Sequence, residues 1–312
     1  MHDLNFLKGL IMDNVLSEYI IRGIGFGENG DYDNAIAEFT KAIQIDIKSI
    51  DAFFNRGLTY YFQEKYDESI SDYTMALKLD PEPEKVCSIY YNRGLAYGAK
   101  RDFRKSIENF TKAININPNF VEVYNVRGDY FAEIGNYDSA IEDCTNSLKI
   151  DGNNANAYNN RAKAYNYKGK YDLAIKDCTK AIEINPELSA AYNNRGQAFC
   201  AKQQFDNAIS DFEKAIKINP NNFLAYNNRG TAYSQMGKQT MAIEDFTMAI
   251  SLKQDLAETY YNRGLIYAKI GNFEKAYSDI EKTLEYGPNN NYAKELKKEI
   301  QKYIKPKNNW YK

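Results

Sequence analysis

A short string recurs along the chain at an almost fixed interval, and this repetition constrains the fold more than any other feature. The string Tyr-Asn-Asn-Arg-Gly occupies 192–196 and again 226–230, and close variants occur elsewhere. Its last residue, called the landmark here, recurs every 34 residues with one interval of 37. Such a period is typical of a chain that stacks short structural units instead of folding around one core. The eight landmarks are Gly23, Gly57, Gly94, Gly128, Ala162, Gly196, Gly230 and Gly264.

Each unit carries apolar residues at the spacing of two helices. One aromatic residue lies four positions before the landmark and another lies three positions after it, so the three share one helix face. A turn follows, and then a second pattern in which a small residue precedes an aromatic by four, as in Ala208 and Phe212. Two such helices cannot bury their apolar faces alone, so the units must stack. The sequence therefore predicts an all-α solenoid of eight helix–turn–helix units.

This pattern resembles the tetratricopeptide repeat over about residues 16–290. Tyr or Phe stands where that family usually has Trp, and Arg stands directly before the landmark where Leu is usual. The resemblance implies a right-handed α-solenoid, a superhelix whose first helices line a groove. It also implies that the chain holds other proteins and does not catalyse a reaction.

The repeat frame divides the chain into an extension, an array and a cap. Residues 1–15 are interpreted as an N-terminal helical extension or cap, and 291–304 as a C-terminal capping helix, because Ala293, Leu296 and Ile300 recur there at helical spacing. Residues 305–312 are interpreted as a tail. The eight predicted repeats span 16–49, 50–83, 87–120, 121–154, 155–188, 189–222, 223–256 and 257–290.

Charge and rare residues exclude several classes of function. The chain has 40 basic and 42 acidic residues, so nothing favours nucleic acid or an anionic membrane as a partner. The one histidine is His2, and the four cysteines form no C-x-x-C pair, so we expect no metal, no cofactor and no enzymatic activity. Neither a signal peptide nor an apolar run of 18 residues is present, and we expect a cytoplasmic protein.

Arginine precedes the landmark in every unit, and an acidic residue follows that arginine after sixteen residues in seven units. A guanidinium and a carboxylate at these positions can pair between the two helices of a unit. Eight identical active sites would be unusual in one chain, so we interpret the pairs as structural. The third unit has Asn109 in place of the acid. The clearest pairs are Arg56 with Asp72, Arg127 with Asp143, Arg161 with Asp177, Arg195 with Asp211, Arg229 with Asp245, and Arg263 with Asp279.

Asparagine recurs two positions before the landmark, and in the middle units also three positions before it. The family resemblance implies that these positions face the groove. A planar amide has both donors and acceptors, so such a column can bind the backbone of a peptide. It resembles the asparagine ladder in the repeat superhelix of O-GlcNAc transferase; the alternative is that the residues merely fill a solvated face. The predicted peptide-binding residues are Asn55, Asn92, Asn125, Asn159, Asn160, Asn193, Asn194, Asn227, Asn228 and Asn262.

Two functions remain open at this stage. The favoured one is a scaffold or adaptor that binds a peptide segment of a protein partner, and the alternative is a solenoid that self-assembles through its ends or tail. We expect a monomer or a weak homo-oligomer. Groove positions that carry Lys and Arg in the family's carboxylate clamp carry other residues here, which disfavours the acidic tails of heat-shock chaperones as partners. The groove's N-terminal end is expected to be apolar, with Leu58 and Phe62, unless the segment 3–15 covers it.

Overall fold

The computed structural model describes residues 2–304, with side chains from residue 12 onward. This range contains seventeen α-helices and no strand. The helices are α1 His2–Glu28, α2 Tyr32–Ile45, α3 Ile50–Phe62, α4 Tyr66–Lys78, α5 Pro83–Ala99, α6 Phe103–Ile116, α7 Val121–Glu133, α8 Tyr137–Ile150, α9 Ala155–Tyr167, α10 Tyr171–Ile184, α11 Ser189–Ala201, α12 Phe205–Ile218, α13 Phe223–Gln235, α14 Gln239–Leu252, α15 Ala257–Lys269, α16 Phe273–Tyr286 and α17 Asn291–Gln301.

Short polar side chains and tight turns set where the helices begin and end. The side chains of Asp31 and Asn136 accept a hydrogen bond from a backbone N–H in the first turn of α2 and α8. The turn between the two helices of a repeat needs a residue at positive φ, which Gly135 supplies at 79°. Glu64 and Gln203 adopt the same left-handed conformation in their own turns.

The landmark allows the two helices of a repeat to approach each other closely. A Cβ atom added to Gly94 would lie 2.6 Å from the ring of Phe110, and one added to Gly196 would lie 2.6 Å from the ring of Phe212. In the fifth repeat the landmark is an alanine, and the residue facing it is the smaller Cys178, which is fully buried. The small residue opposite leaves room for the methyl group of the alanine landmark.

The first compact unit, Met1–Gly152, contains α1 to α8. Each helix in it packs against the next, and the first helices of the first three repeats, α1, α3 and α5, also lie side by side. One core cluster surrounds the buried ring of Tyr73, and another surrounds that of Phe110. The first helices of successive repeats thus form one continuous face in this part of the unit.

The second compact unit, Asn153–Lys312, contains α9 to α17. Here α9, α11, α13 and α15 contact one another in order, while α10, α12, α14 and α16 lie behind them. Helix α17 packs on α16, with Ala293 and Ile300 buried in one cluster with Ile280. The candidate site described below is built on the row of first helices.

The all-α fold class and the pairwise packing of helices are confirmed, and α17 matches the predicted capping helix. The exact bounds of the repeats and of the terminal segments stay predictions. Residues 2–28 form one continuous helix, but the side chains of 1–11 and all of 305–312 lie outside the described residues, so the cap predicted at 1–15 is not tested. No helix within residues 2–304 has the length and apolar character needed to span a bilayer.

Candidate functional site

The recurring arginine forms a two-pronged ion pair with the acid sixteen residues later. In six repeats Nε and Nη2 of the guanidinium each donate to a separate carboxylate oxygen at 2.7–2.9 Å. The carboxylates lie almost fully inside the helix pair. This geometry is the strongest that the two groups can adopt. The pairs are Arg56–Asp72, Arg127–Asp143, Arg161–Asp177, Arg195–Asp211, Arg229–Asp245 and Arg263–Asp279.

The same arginine also reaches the preceding repeat. Nη1 of Arg56 donates to the Thr40 hydroxyl at 3.1 Å, and Nη1 of Arg195 donates to the Thr179 hydroxyl at 3.1 Å. The bond to Asp72 raises the pKa of Arg56, so the guanidinium stays charged. One side chain thus holds together two helices of its own repeat and one of the repeat before, which supports a structural interpretation of the pairs.

The third repeat lacks the carboxylate. Arg93 Nε donates to Asn109 Oδ1 at 2.9 Å, and Nη1 donates to the Thr74 hydroxyl at 3.0 Å. Asn109 Nδ2 is turned away and donates to the carbonyl of Lys105 in its own helix. Without a carboxylate beside it, burial lowers the pKa of Arg93.

In the first unit, the column asparagines bind their own helices. Asn55 Nδ2 donates to the carbonyl of Asp51, and Asn92 Nδ2 donates to the carbonyl of Ser88, both at 2.9 Å. Asn125 is half-buried, and its Oδ1 has no hydrogen-bond partner among the described residues. The amides of this unit therefore do not link one repeat to the next.

In the second unit, the column asparagines bind one another across repeats. Asn194 Nδ2 donates to Asn159 Oδ1 at 2.9 Å, and Asn228 Nδ2 donates to Asn193 Oδ1 at 3.0 Å. The Thr259 hydroxyl donates to the Oδ1 atom of Asn227 at 2.8 Å. These bonds join α9 to α11, α11 to α13, and α13 to α15.

The structure divides the predicted peptide-binding residues by burial. Asn159, Asn193 and Asn194 are 8%, 5% and 8% exposed, so they lie in the interface between first helices. The other seven are half-buried and keep part of their surface accessible: Asn55, Asn92, Asn125, Asn160, Asn227, Asn228 and Asn262. Sequence periodicity placed both groups on one face and did not distinguish them.

A cavity of about 300 Å³ opens on this face of the second unit. Amide and hydroxyl side chains line it together with aromatic rings. No side chain among its lining residues carries a charge, because burial raises the pKa of the Cys200 thiol to about 11 and keeps it protonated. Besides two tyrosines, the amide and hydroxyl residues that line it are Asn166, Gln197, Asn228, Thr231 and Gln235.

Asn166 is the lining residue that the sequence analysis missed. Its Nδ2 donates to the carbonyl of Asn194 at 2.7 Å, while its Oδ1 has no partner among the described residues. The residue lies four positions after the landmark, where the sixth repeat has Cys200 and the seventh Ser234. The residue type at this position changes from repeat to repeat, whereas the packing positions keep theirs. This variation was the one sequence signal that could have indicated the site.

The first unit has an apolar cavity of about 350 Å³ at its first two repeats. Ile24, Leu58 and Phe62 line it, and Phe62 is 56% exposed. Ile21 on the same helix as Ile24 is 68% exposed. The apolar end expected from the sequence therefore presents accessible surface, although the side chains of 1–11 lie outside the described residues.

Helix pairs that stack in sequence, here with an ion pair inside most of them, form an α-solenoid. Members of this class serve as protein-interaction scaffolds. Family models described as tetratricopeptide repeat match residues 50–83, 88–120, 155–188 and 257–290, and a related one matches 121–154. A further model, described as TPR repeat, matches 26–63, 196–237 and 232–271. These matches cover most of the chain, and the chain belongs to the tetratricopeptide-repeat family.

Solved structures support the same fold. The APC/C hetero-tetramer Cut9–Hcn1 superposes with a TM-score of 0.68 at 19% identity, over 86% of this chain and 52% of that one. A structure of PilF from Pseudomonas aeruginosa gives 0.58 at 17% identity, over 70% and 99%. The thermophilic TPR protein TTC0263 of Thermus thermophilus gives 0.51 at 19% identity, over 58% and 98%.

These likenesses are too distant to transfer more than the fold, and this chain spans about half of the Cut9–Hcn1 chain it matches. No curated protein matches the sequence. Among the described residues there is no cluster of three metal-ligating side chains. The repeats identify the chain as a protein-interaction scaffold in general terms, in a fold that is typically non-enzymatic.

Proposed function

We propose that the chain is a non-enzymatic, cytoplasmic scaffold that binds a peptide segment of a protein partner along the first helices of the second unit. The observation that carries this proposal is the uncharged cavity, lined by amides and aromatic rings, next to the asparagine column. Asn228, which lines the cavity, and the other half-buried amides of the column in this unit, Asn160, Asn227 and Asn262, would contact the peptide backbone. The buried asparagines would act indirectly, by holding the first helices at a fixed spacing.

The chemistry of the cavity favours a neutral segment of peptide. Amide side chains offer donors and acceptors to a backbone without requiring a charge on the ligand. Since no Lys or Arg lines this cavity, the site differs from one that grips an acidic tail. We therefore expect the affinity to change little between low and physiological salt, because screening weakens mainly interactions between charges.

The test is site-specific photo-crosslinking in the source cell. A photoreactive residue at Gln197 or Gln235, both exposed at the cavity, should capture one protein partner. The matched control places it at Glu244, which is exposed on α14 and does not line the cavity. Capture at Glu244 alone, or equal capture at all positions, would exclude the cavity as the site.

Two substitutions test the proposal by the affinity for the captured partner. Thr231→Arg should fill the cavity and weaken binding of the captured partner at least tenfold, which corresponds to about 1.4 kcal/mol. Glu244→Arg adds the same side chain on α14 and should leave the dissociation constant within twofold. An unchanged affinity in Thr231→Arg would contradict the proposal.

Self-assembly is the second candidate function, and the exposed apolar surface at the first two repeats favours it. Ile21 and Phe62 are mostly exposed beside an apolar cavity, and such patches commonly mark interaction surfaces. Sedimentation of the full chain over a range of concentrations would test this function. A mass that rises with concentration in the wild type, but not in Phe62→Ser, would support it.

A further inference from the structure

The third repeat differs from all the others in the charge beside its arginine. In seven repeats the arginine faces a carboxylate, but Arg93 faces the neutral amide of Asn109. Nε and Nη1 of Arg93 have partners, whereas Nη2 has none within residues 2–304. The corresponding Nη2 atom of Arg56 donates to Asp72 at 2.8 Å. The third repeat therefore keeps one guanidinium nitrogen, Nη2, available for an acceptor.

A second cation lies beside Arg93. Lys112 Nζ and Arg93 Cζ each lie 5.4 Å from the ring centroid of Tyr90. In the part of the chain that the structure describes, neither side chain forms a salt bridge with a carboxylate. Arg93 is half-buried and Lys112 is exposed, so the pair borders solvent.

The first repeat shows how an anion occupies the same arrangement. Arg22 and Lys41 lie over the ring of Tyr19, at repeat positions equivalent to Arg93, Lys112 and Tyr90. There the Glu38 carboxylate accepts from Arg22 Nε at 2.8 Å through one oxygen and from Lys41 Nζ through the other. The two repeats share the cations and the ring, and they differ in the acid between them.

We propose that Arg93 and Lys112 form a binding site for a phosphate-type oxyanion. The anion accepts from Arg93 Nη2 and Lys112 Nζ, and it supplies the negative charge that Glu38 supplies in the first repeat. A doubly charged oxyanion neutralises both cations, and a charged N–H donor such as Nη2 forms a strong hydrogen bond with its oxygens. Free phosphate and a phosphoryl group on a side chain share this chemistry. The site is independent of the peptide-binding cavity in the second unit.

Because Arg93 is partly buried, an anion beside it stabilises the charged guanidinium more than it would at an open surface. Transfer of Arg93 out of water disfavours its charge, and this lowers its pKa in the absence of a carboxylate. An oxyanion beside it offsets that cost, as Asp72 does for Arg56. The competing explanation is that the Asn109 amide and solvent satisfy Arg93 completely, and then no anion binds.

The chain itself suggests two variants that preserve the fold. Asn109→Asp introduces the acid that six other repeats carry at this position, so it should occupy the guanidinium edge from within. Lys112→Met introduces the residue found at the equivalent positions 75 and 248, and it removes only the second cation. Neither substitution brings in a residue that is foreign to its repeat position.

Hydrogen exchange of the full chain in inorganic phosphate, against chloride at matched ionic strength, tests the site. At phosphate ten times above its dissociation constant, amides of α5 and α6 that exchange through local opening should exchange about elevenfold more slowly in the wild type. The slowing should saturate. Helices α13 and α14 serve as the internal control, because the general stabilising effect of phosphate acts on them too.

The variants decide between the two explanations. Asn109→Asp should lose the saturable slowing, and Lys112→Met should raise the phosphate concentration needed by about two- to fivefold. If Asn109→Asp responds as the wild type does, or if α13 slows as much as α5, the proposal is wrong. O-phosphoserine at the same concentration separates the sources: equal slowing means that the site accepts a phosphoryl group on a side chain, and slowing by inorganic phosphate alone means that it takes the free ion.

Discussion

Asparagine occupies the same repeat position in both units and makes different bonds in each. In the first unit, Asn55 and Asn92 donate to carbonyls of their own helices. In the second unit, Asn194 and Asn228 donate to asparagines of the preceding repeat. The residue type is constant, so the difference must come from its neighbours.

The difference is explained by the residue that lies three positions before the landmark in the preceding repeat. Ile20 and Phe54 fill it in the first and second repeats, and neither offers an acceptor to the column asparagine of the next repeat. Asn159 and Asn193 fill it in the fifth and sixth repeats and present Oδ1 to the next first helix. An amide therefore links repeats only when the preceding repeat supplies an acceptor. The second unit gains a polar connection where the first relies on apolar packing.

The largest expected effect comes from removing an acceptor inside the second unit. Asn193→Leu keeps the approximate size of the side chain but leaves Asn228 Nδ2 without its partner. We expect local opening of α11 and α13 to become easier by about 1–1.5 kcal/mol, the upper part of the usual range for a hydrogen bond, because Asn193 is only 5% exposed and its bond lies in the interface between first helices. Hydrogen exchange of these helices measures it.

Asn92→Leu is the matched control in the first unit. Its amide binds only the carbonyl of Ser88, which remains in the helical hydrogen-bond pattern after the change. The loss there should stay below about 0.5 kcal/mol, the usual limit for a substitution away from a polar network. Equal losses at Asn92 and Asn193 would remove the contrast between the units.

A smaller effect is expected for the hydrogen bond between Asn194 and Asn159 taken alone. In a double-mutant cycle on Asn159 and Asn194, with alanine at each, we expect a coupling energy of about 1 kcal/mol. The same cycle on Asn55 and Asn92 should give a coupling near zero, since neither amide contacts the other. Opening energies from hydrogen exchange supply all eight values. A coupling near zero for Asn159 and Asn194 would mean that their bond contributes nothing beyond packing.

Much of the fold could be predicted from the sequence because its signals are local and repeated. In every repeat the landmark and the two aromatic residues that flank it lie on one face of the first helix, so their spacing identifies that helix directly. The ion pairs were predictable for the same reason: Arg195 and Asp211 are separated by a fixed number of residues within one repeat, and their side chains face each other across its two helices.

The asparagine bonds could not be predicted in the same way. Asn159 and Asn194 lie 35 residues apart, and their pairing depends on how closely two first helices approach and on which way each amide turns. Periodicity fixes a position on a helix face, but it does not fix either of these quantities. The cavity near Asn166 depends on the same spacing, so it too became visible only when the helices were placed.

The smallest expected effect is at the last inter-repeat bond. Thr259 is 2% exposed and donates to Asn227 Oδ1, whereas Asn227 is half-buried. Thr259→Val keeps the shape and removes the donor, and the freed Oδ1 atom can accept from water instead. We therefore expect a loss of only about 0.5 kcal/mol in the opening energy of α15, at the low end for a hydrogen bond. A loss above that for Asn193→Leu would reverse the order and show that the polar connection strengthens toward α15 rather than at α11 and α13.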